Sequence, residues 1–272
     1  MLIAAAASAR SGAGWEPVHE QQSKGIVSAT LDYEERKFGE FVSAHRTMRL
    51  AITRAGRRVY ERVLCGVVCS GPGIYTRDKQ RRALVLRNVW GSAEPEVLVE
   101  TYSGGAHCCL ATVIVSRGKA GYRTFRHEWG DVGAAYKGQW RQGVYFFLSA
   151  DSGFAYAFTS YAGSAFPAQA WTLTASGRLR DVTRERLDHV RGNAAKQWRH
   201  YNEERGGEGT IRGVLAAWCA DQHLLGAGET CEAELERARQ AGWLETANED
   251  SSVSEYLAKL HRLLRVGGYI RG

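Results

Sequence analysis

The sequence predicts an α+β protein: a β-rich propeller-like or sandwich portion of three repeated units, followed by a helical C-terminal portion. Three observations carry this. Segments with two-residue hydrophobic alternation and a glycine-bearing tip recur about sixty residues apart, the signature of repeated β-hairpins. Beyond Asp181-Val182-Thr183 the hydrophobic period changes from 2 to 3.6. The chain of 272 residues, 44% hydrophobic and 24% charged, can fill a full core.

In chain order, residues 1–24 read as a signal remnant or a disordered segment. Leu2 to Ala9 is a short apolar stretch ending Ala7-Ser8-Ala9, an A-x-A pattern without a basic n-region. It fits either the rear half of an export signal or an Ala-rich tail. Residues 25–190 are assigned to the β-rich repeats. Met48 to Tyr60, Thr112 to Phe125 and Ala170 to Thr183 each read as strand, glycine turn, strand, with Leu50, Val113 and Trp171 at equivalent places. A further strand precedes the second and third hairpins, Glu96 to Tyr102 and Tyr145 to Ala150. Three such units are too few for a closed propeller of four to eight blades. Residues 191–272 form the helical region, packed on the sheets. Helices are expected from Ala194 to Arg205, around Ile211 to Leu225, from an N-cap at Thr230 to Gly242, and from Ser252, whose Glu255 three residues on completes a capping box.

Composition excludes several classes. No run of 18 apolar residues occurs, so no spanning helix is expected. The +7 net charge is an arginine excess, because only 7 of the 36 basic residues are lysine. A high-GC coding bias would produce such an excess without selection for binding. The clusters Arg54/Arg57/Arg58 and Arg77/Lys79/Arg81/Arg82 flank turn residues and lack the aromatic platforms of a nucleic-acid surface. Anionic surfaces, an anionic cell-surface polymer or lipid headgroups, are the partners that the charge suggests.

Cysteine usage points outside the cytoplasm. Cys65, Cys69, Cys108, Cys109, Cys219 and Cys231 are six in number, which in an exported chain reads as up to three disulfides with fifteen possible connectivities. Cys219–Cys231 is the pairing the helix pattern favours, since it would staple neighbouring helices. Adjacent Cys108 and Cys109 should point to opposite faces of a strand and find separate partners. An extracytoplasmic place, whether secreted, wall-associated or periplasmic, is the expectation; the incomplete signal leaves the cytoplasm open. Zinc is not indicated by spacing, for neither C-x-x-C nor H-x-x-x-H occurs.

Asn88 to Glu96 followed by Val97 to Cys109, ending Gly104-Gly105-Ala106-His107-Cys108-Cys109, resembles the loop-and-strand pattern of FG-GAP/VCBS-type repeats, and more narrowly a group of uncharacterised exported proteins of high-GC bacteria. Ser149 to Pro167, Asp181 to Thr183, Leu215 to Asp221 and Gly268 to Arg271 extend the resemblance over roughly residues 25 to 271. It implies export, a β-rich fold and no known activity. In FG-GAP-type loops alternating carboxylates and amides wrap calcium. Here Asn88, Trp90 and Ser92 stand where acids belong and only Glu96 remains charged, while Gly138 to Phe146 keeps none and places Arg141 there. Both loops therefore read as turns that have lost the ion.

The expected function is a non-catalytic extracytoplasmic binding or structural protein with degenerate calcium loops and no cofactor. The rival is an extracytoplasmic hydrolase or thiol-dependent enzyme centred on His107 and Cys109. On one strand those two would share a face about 7 Å apart, too far for direct proton transfer. Asp151 and Glu96 complete the functional candidates, with Glu100 and Asp131 as further carboxylates for a glycosidase pair. Tyr156, Phe158, Tyr161, Phe166 and Trp171 are candidates for a sugar-binding surface, but as alternating strand residues they read as packing.

Overall fold

The computed structural model describes residues 14–38, 41–65, 71–72, 82–91, 93–105, 108–130, 138–174, 176–206, 211–245 and 251–270. These form three antiparallel sheets stacked in chain order, then four helices. The first sheet is the meander β1 (Glu16–Lys24), β2 (Val27–Phe38), β3 (Phe41–Arg54) and β4 (Arg57–Cys65). The second runs β5 (Gly71–Pro72), β7 (Glu96–Gly105), β8 (Cys108–Gly118), β9 (Gly121–Gly130), with β6 (Leu84–Arg87) also pairing β7. The third is β10 (Gln139–Arg141), β11 (Val144–Ala150), β12 (Ala168–Leu173) and β13 (Leu179–Asp181). The hairpins expected near Leu50, Val113 and Trp171 are the last two strands of each sheet. The sheets are open, and no closed propeller is present among the described residues.

Alternation explains the stacking. On β2 the buried positions are Val27, Ala29, Leu31 and Tyr33, and on β3 Met48, Leu50 and Ile52, so one face of the first sheet is apolar. Its other face carries ion pairs such as Arg46–Glu34 at 2.7 Å and Arg49–Glu61 at 2.9 Å. The apolar face packs on Val97, Val99, Val113 and Val115 of the second sheet. The intervening positions of the second sheet, Leu98, Leu110 and Ile114, turn the other way and pack with Trp129 against Tyr145, Phe147 and Leu173 around the third sheet. The second sheet is thus buried on both faces, and its strands read as nearly continuous apolar runs. Tight turns set the register: Ala55 and Gly56 both take positive φ, as do Gln142 and Gly143, the type I′ geometry that suits a two-residue hairpin.

Residues 16–24 depart from expectation. Read as signal remnant or disordered, they instead form the edge strand β1, paired with β2 from Glu16↔Glu35 to Lys24↔Val27. The carboxylate of Glu20 adds a tie to the second sheet, accepting from the backbone N–H of Ala83 at 3.1 Å and of Leu84 at 2.9 Å. The Ala7-Ser8-Ala9 pattern lies outside the described residues.

The segment from Ser152 to Phe166 is not a strand. Asp151 accepts from Gly153 N–H at 2.8 Å and starts a short 3₁₀ turn, and a second such turn covers Tyr161–Gly163. Phe154 and Phe158 leave the sheets and enter the helical core, while Tyr156 is 54% exposed.

The helices are α1 (Leu187–Glu204), α2 (Arg212–Leu224), α3 (Gly228–Gln240) and α4 (Val253–Val266). α1 begins at Leu187 rather than Ala194, because Val190 opens the buried stripe continued by Ala194, Gln197 and Tyr201. Every residue from Arg212 to Asp221 is buried, which makes α2 the central helix of the group. Its Gly213 allows contact with the 3₁₀ turn: a Cβ there would lie 2.3 Å from Gly163 O. α3 starts at Gly228, capped at Ala227 without a side-chain bond, so Thr230 is inside the helix and not its N-cap. The Ser252–Glu255 capping box is present on α4. Cys219 and Cys231 form the expected disulfide.

Candidate functional site

The resemblance-bearing loop is closed by its own donors. Glu96, 2% exposed at the start of β7, accepts from Val89 N–H at 2.8 Å and Trp90 N–H at 3.3 Å, and Asn88 Oδ1 accepts from Gly91 N–H at 2.7 Å. Ser92 lies outside the described residues. In the second loop Arg141 pairs with Asp188 at 2.6 Å. A carboxylate already filled by N–H donors has that much less electron density to offer a cation.

The strongest chemical environment is on β7 and β8. Glu100 is fully buried, neither carboxyl oxygen has a hydrogen-bond partner among the described residues, and burial alone pushes its pKa up to about 8. It faces the core between the second and third sheets. Opposite it on β8, Thr112 accepts from Trp129 Nε1 at 2.8 Å. His127, next across on β9, packs its ring 4.2 Å from Trp129 and 4.6 Å from Trp171, and burial lowers its pKa. This is a neutral, mostly aromatic enclosure holding one protonated carboxyl at neutral pH. Glu96 shares its strand face four residues away, about 13 Å along the strand, beyond the spacing that paired glycosidase carboxylates require.

The Gly-Gly-Ala-His-Cys-Cys motif begins four residues after Glu100. His107 and Cys69 lie outside the described residues, as do the side chains of Cys65 and Cys108 and the carboxylate Asp131. Cys109 is described: its backbone N–H donates to Ser103 Oγ, and its sulfur is disulfide-bonded, so it holds no thiolate in this state.

Asp151 belongs to a different place, the junction of the third sheet with the helices. Its Oδ2 accepts from Tyr269 O–H at 2.7 Å. Asp221, missed as a site residue by sequence, is fully buried at the end of α2, where Oδ1 accepts from Ala168 N–H at 2.9 Å and Oδ2 from Asn193 at 2.7 Å. Burial pushes its pKa up to about 7. Asp181 Oδ1 accepts from Thr183 N–H and O–H. Together with burial, these three carboxylates hold the Tyr269 phenol protonated far above its ordinary range. Beside them opens a cleft of about 310 Å³, lined by Gln169, Asp181, Thr183, Arg184, Glu185 and Tyr269. Its polar groups are largely engaged internally, Arg184 donating to the carbonyls of Gly268 and Tyr269, so the junction works first as a joint. A second, more open groove of about 510 Å³ crosses α1, α2 and α3, with Trp198 stacked 4.6 Å from Trp218.

No family model and no solved structure matches the chain. Over 142 residues, 48% of the chain, it is 33% identical to a probable thylakoid lumen protein of Synechocystis sp.. The chain spans about 40% of the length of that curated relative. No helix among the described residues is long and apolar enough to cross a membrane.

Proposed function

We propose that this chain is a non-catalytic extracytoplasmic protein with a binding or structural role, related to FG-GAP/VCBS-type repeat proteins and built on propeller-like units whose loops no longer need calcium. The observation that carries the compartment is cysteine oxidation: Cys109, Cys219 and Cys231 are all disulfide-bonded. The lumenal description of the relative points the same way. For the loops, support comes from Glu96 and Asn88, which satisfy backbone N–H groups where calcium ligands would stand. A hydrolase or thiol enzyme centred on His107 and Cys109 draws one observation in favour, the protonated Glu100 close by in sequence. The oxidised Cys109 opposes its thiol version.

Alkylation of the denatured, unreduced protein followed by peptide mass analysis tests the compartment. No label is expected on Cys109, Cys219 or Cys231, and a labelled Cys109 would overturn the structural reading. Calorimetric titration with Ca²⁺ tests the loops: no saturable micromolar binding is expected.

A further inference from the structure

Two of the chain's tryptophans are exposed, and they stand on adjoining turns. Trp90, in the loop after β6, is 44% exposed and Trp140, on β10, is 47% exposed, whereas every other tryptophan is buried or half-buried. An indole held in water is an unmet contact, so two together mark a surface that receives a ligand. The turns meet at their glycines: a Cβ on Gly91 would lie 3.9 Å from the carbonyl oxygen of Gly143.

Both turns are already ordered. Glu96 accepts from the N–H groups of Val89 and Trp90, and Asn88 from Gly91 N–H, which fixes the first. The second is the two-residue hairpin turn of Gln142 and Gly143, both at positive φ. Tyr145, 1% exposed, joins them. Its ring meets Trp140 in an edge arrangement at 5.8 Å between centroids, and Arg87, at the entry to the Trp90 loop, donates to its hydroxyl and lies 5.5 Å from its ring centroid. A ligand settling here orders little that is not ordered beforehand.

Charge and surface texture select the occupant. Arg87 makes no ion pair among the described residues, while Glu94 is engaged by Arg54 and Arg117 and Glu96 by backbone N–H groups, so the local field favours an anion. The apolar area is also interrupted. Glycines join the two turns, and Val144, paired with Arg141, points away from the Trp140 face by strand alternation. A lipid surface or a protein partner needs a continuous apolar face. A chain of sugar rings instead packs its C–H faces on separate indoles and turns its hydroxyls to the backbone groups between them. We propose that Trp90 and Trp140 form a binding platform for an acidic polysaccharide, its sugar rings stacked on the two indoles and a carboxylate met by Arg87. This rests on the binding role proposed above and names its ligand class.

The test is native gel electrophoresis of the oxidised full chain through polygalacturonate, through neutral dextran, and through poly-L-glutamate, an anion without sugar rings. Polygalacturonate should retard the chain most. Trp90→Ala and Trp140→Ala, at exposed positions, should fold by circular dichroism and each lower the apparent affinity for polygalacturonate roughly tenfold, with poly-L-glutamate unaffected. Val266→Ala, exposed at the end of α4, should bind as wild type. Unchanged retardation by polygalacturonate in both tryptophan variants would overturn the platform. So would an equal loss in Val266→Ala, or a loss of self-association or of binding to phosphatidylglycerol vesicles in the tryptophan variants with polygalacturonate binding intact. Release of reducing ends from the polymer would instead overturn the non-catalytic reading and leave the platform standing.

Discussion

The Tyr269 hydroxyl donates a 2.7 Å hydrogen bond to Asp151 Oδ2, joining residues 118 apart in the chain. Asp151 follows the end of β11, and Tyr269 lies in the turn after α4, so this bond joins the end of the helical region to the third sheet, beside the Asp221–Ala168 tie. Phe154 rests on the same phenol, 5.8 Å between ring centroids.

Tyr269→Phe removes the bond and leaves the packing. A hydrogen bond to a charged group contributes about 1.5–3 kcal/mol. Urea unfolding of the variant should show a loss of about 2 kcal/mol, with Asp151→Ala costing at least as much. No change in midpoint in either variant would mean that the junction is held by packing alone.

Glu100 predicts a pH dependence with a definite sign. Its folded pKa, about 8, lies above the ordinary 4.5. Its contribution to stability is therefore complete below pH 4.5 and is lost as pH rises through 8. Asp221, raised from 3.8 to about 7, acts in the same direction over a lower window. Glu100→Gln should flatten the fall in stability between pH 6 and pH 9 by on the order of 3 kcal/mol. A variant whose pH profile tracks wild type would refute a buried, protonated Glu100.

The Cys219–Cys231 disulfide spans a sequence separation of 12. Closing a loop of that size constrains the unfolded chain by about 3 kcal/mol. The double variant Cys219→Ala/Cys231→Ala should unfold at lower urea by that amount, and treatment with a dithiol reductant should destabilise wild type but leave the double variant's Cys219–Cys231 contribution absent. Equal stability of the oxidised wild type and the double variant would contradict this.

Arg212 is 2% exposed at the start of α2. Its guanidinium donates to Leu244 O from Nε and Nη2 and to Ser251 O and Oγ from Nη1, and lies 5.3 Å from the Tyr256 ring centroid. Arg212→Met keeps much of the volume but strands the carbonyls of Leu244 and Ser251, which lie between α3 and α4. Thermal unfolding should fall by an amount equivalent to about 3 kcal/mol; Arg212→Lys, which cannot reproduce the fork, should recover less than half of it.

How much of this was legible in sequence depends on what holds each element. The hairpins around Leu50, Val113 and Trp171 were readable because alternation and glycine tips are local signals. The α4 capping box and the Cys219–Cys231 pair were readable because each is a short-range pattern. β1 was not, since Val18 is its sole aliphatic residue apart from Pro17 and it is held by its pairing with β2 and by the reach of Glu20 to Ala83 and Leu84. Tyr156 to Phe166 misled because aromatics raise strand expectation, while Asp151 diverts the backbone at Gly153. The contacts of Glu232 with His223 and with His261 are invisible to motif reading: 9 and 29 residues separate the partners, and only the packing of α2, α3 and α4 closes those gaps. Glu100 read as one carboxylate among several because its burial depends on the third sheet.

The stacking of the sheets gives the molecule a direction. Among the described residues, the second sheet has apolar neighbours on both faces and the third packs on the second sheet and on α1, whereas the first has a neighbour on one face only. Amide protons should therefore exchange along a gradient, fastest in β1 to β4 and slowest in β7 and β8, with opening events that peel the first sheet away before the rest responds. Mechanical load or a protease would meet the same order, so damage at the N-terminal sheet would leave the helical end, with its disulfide, standing.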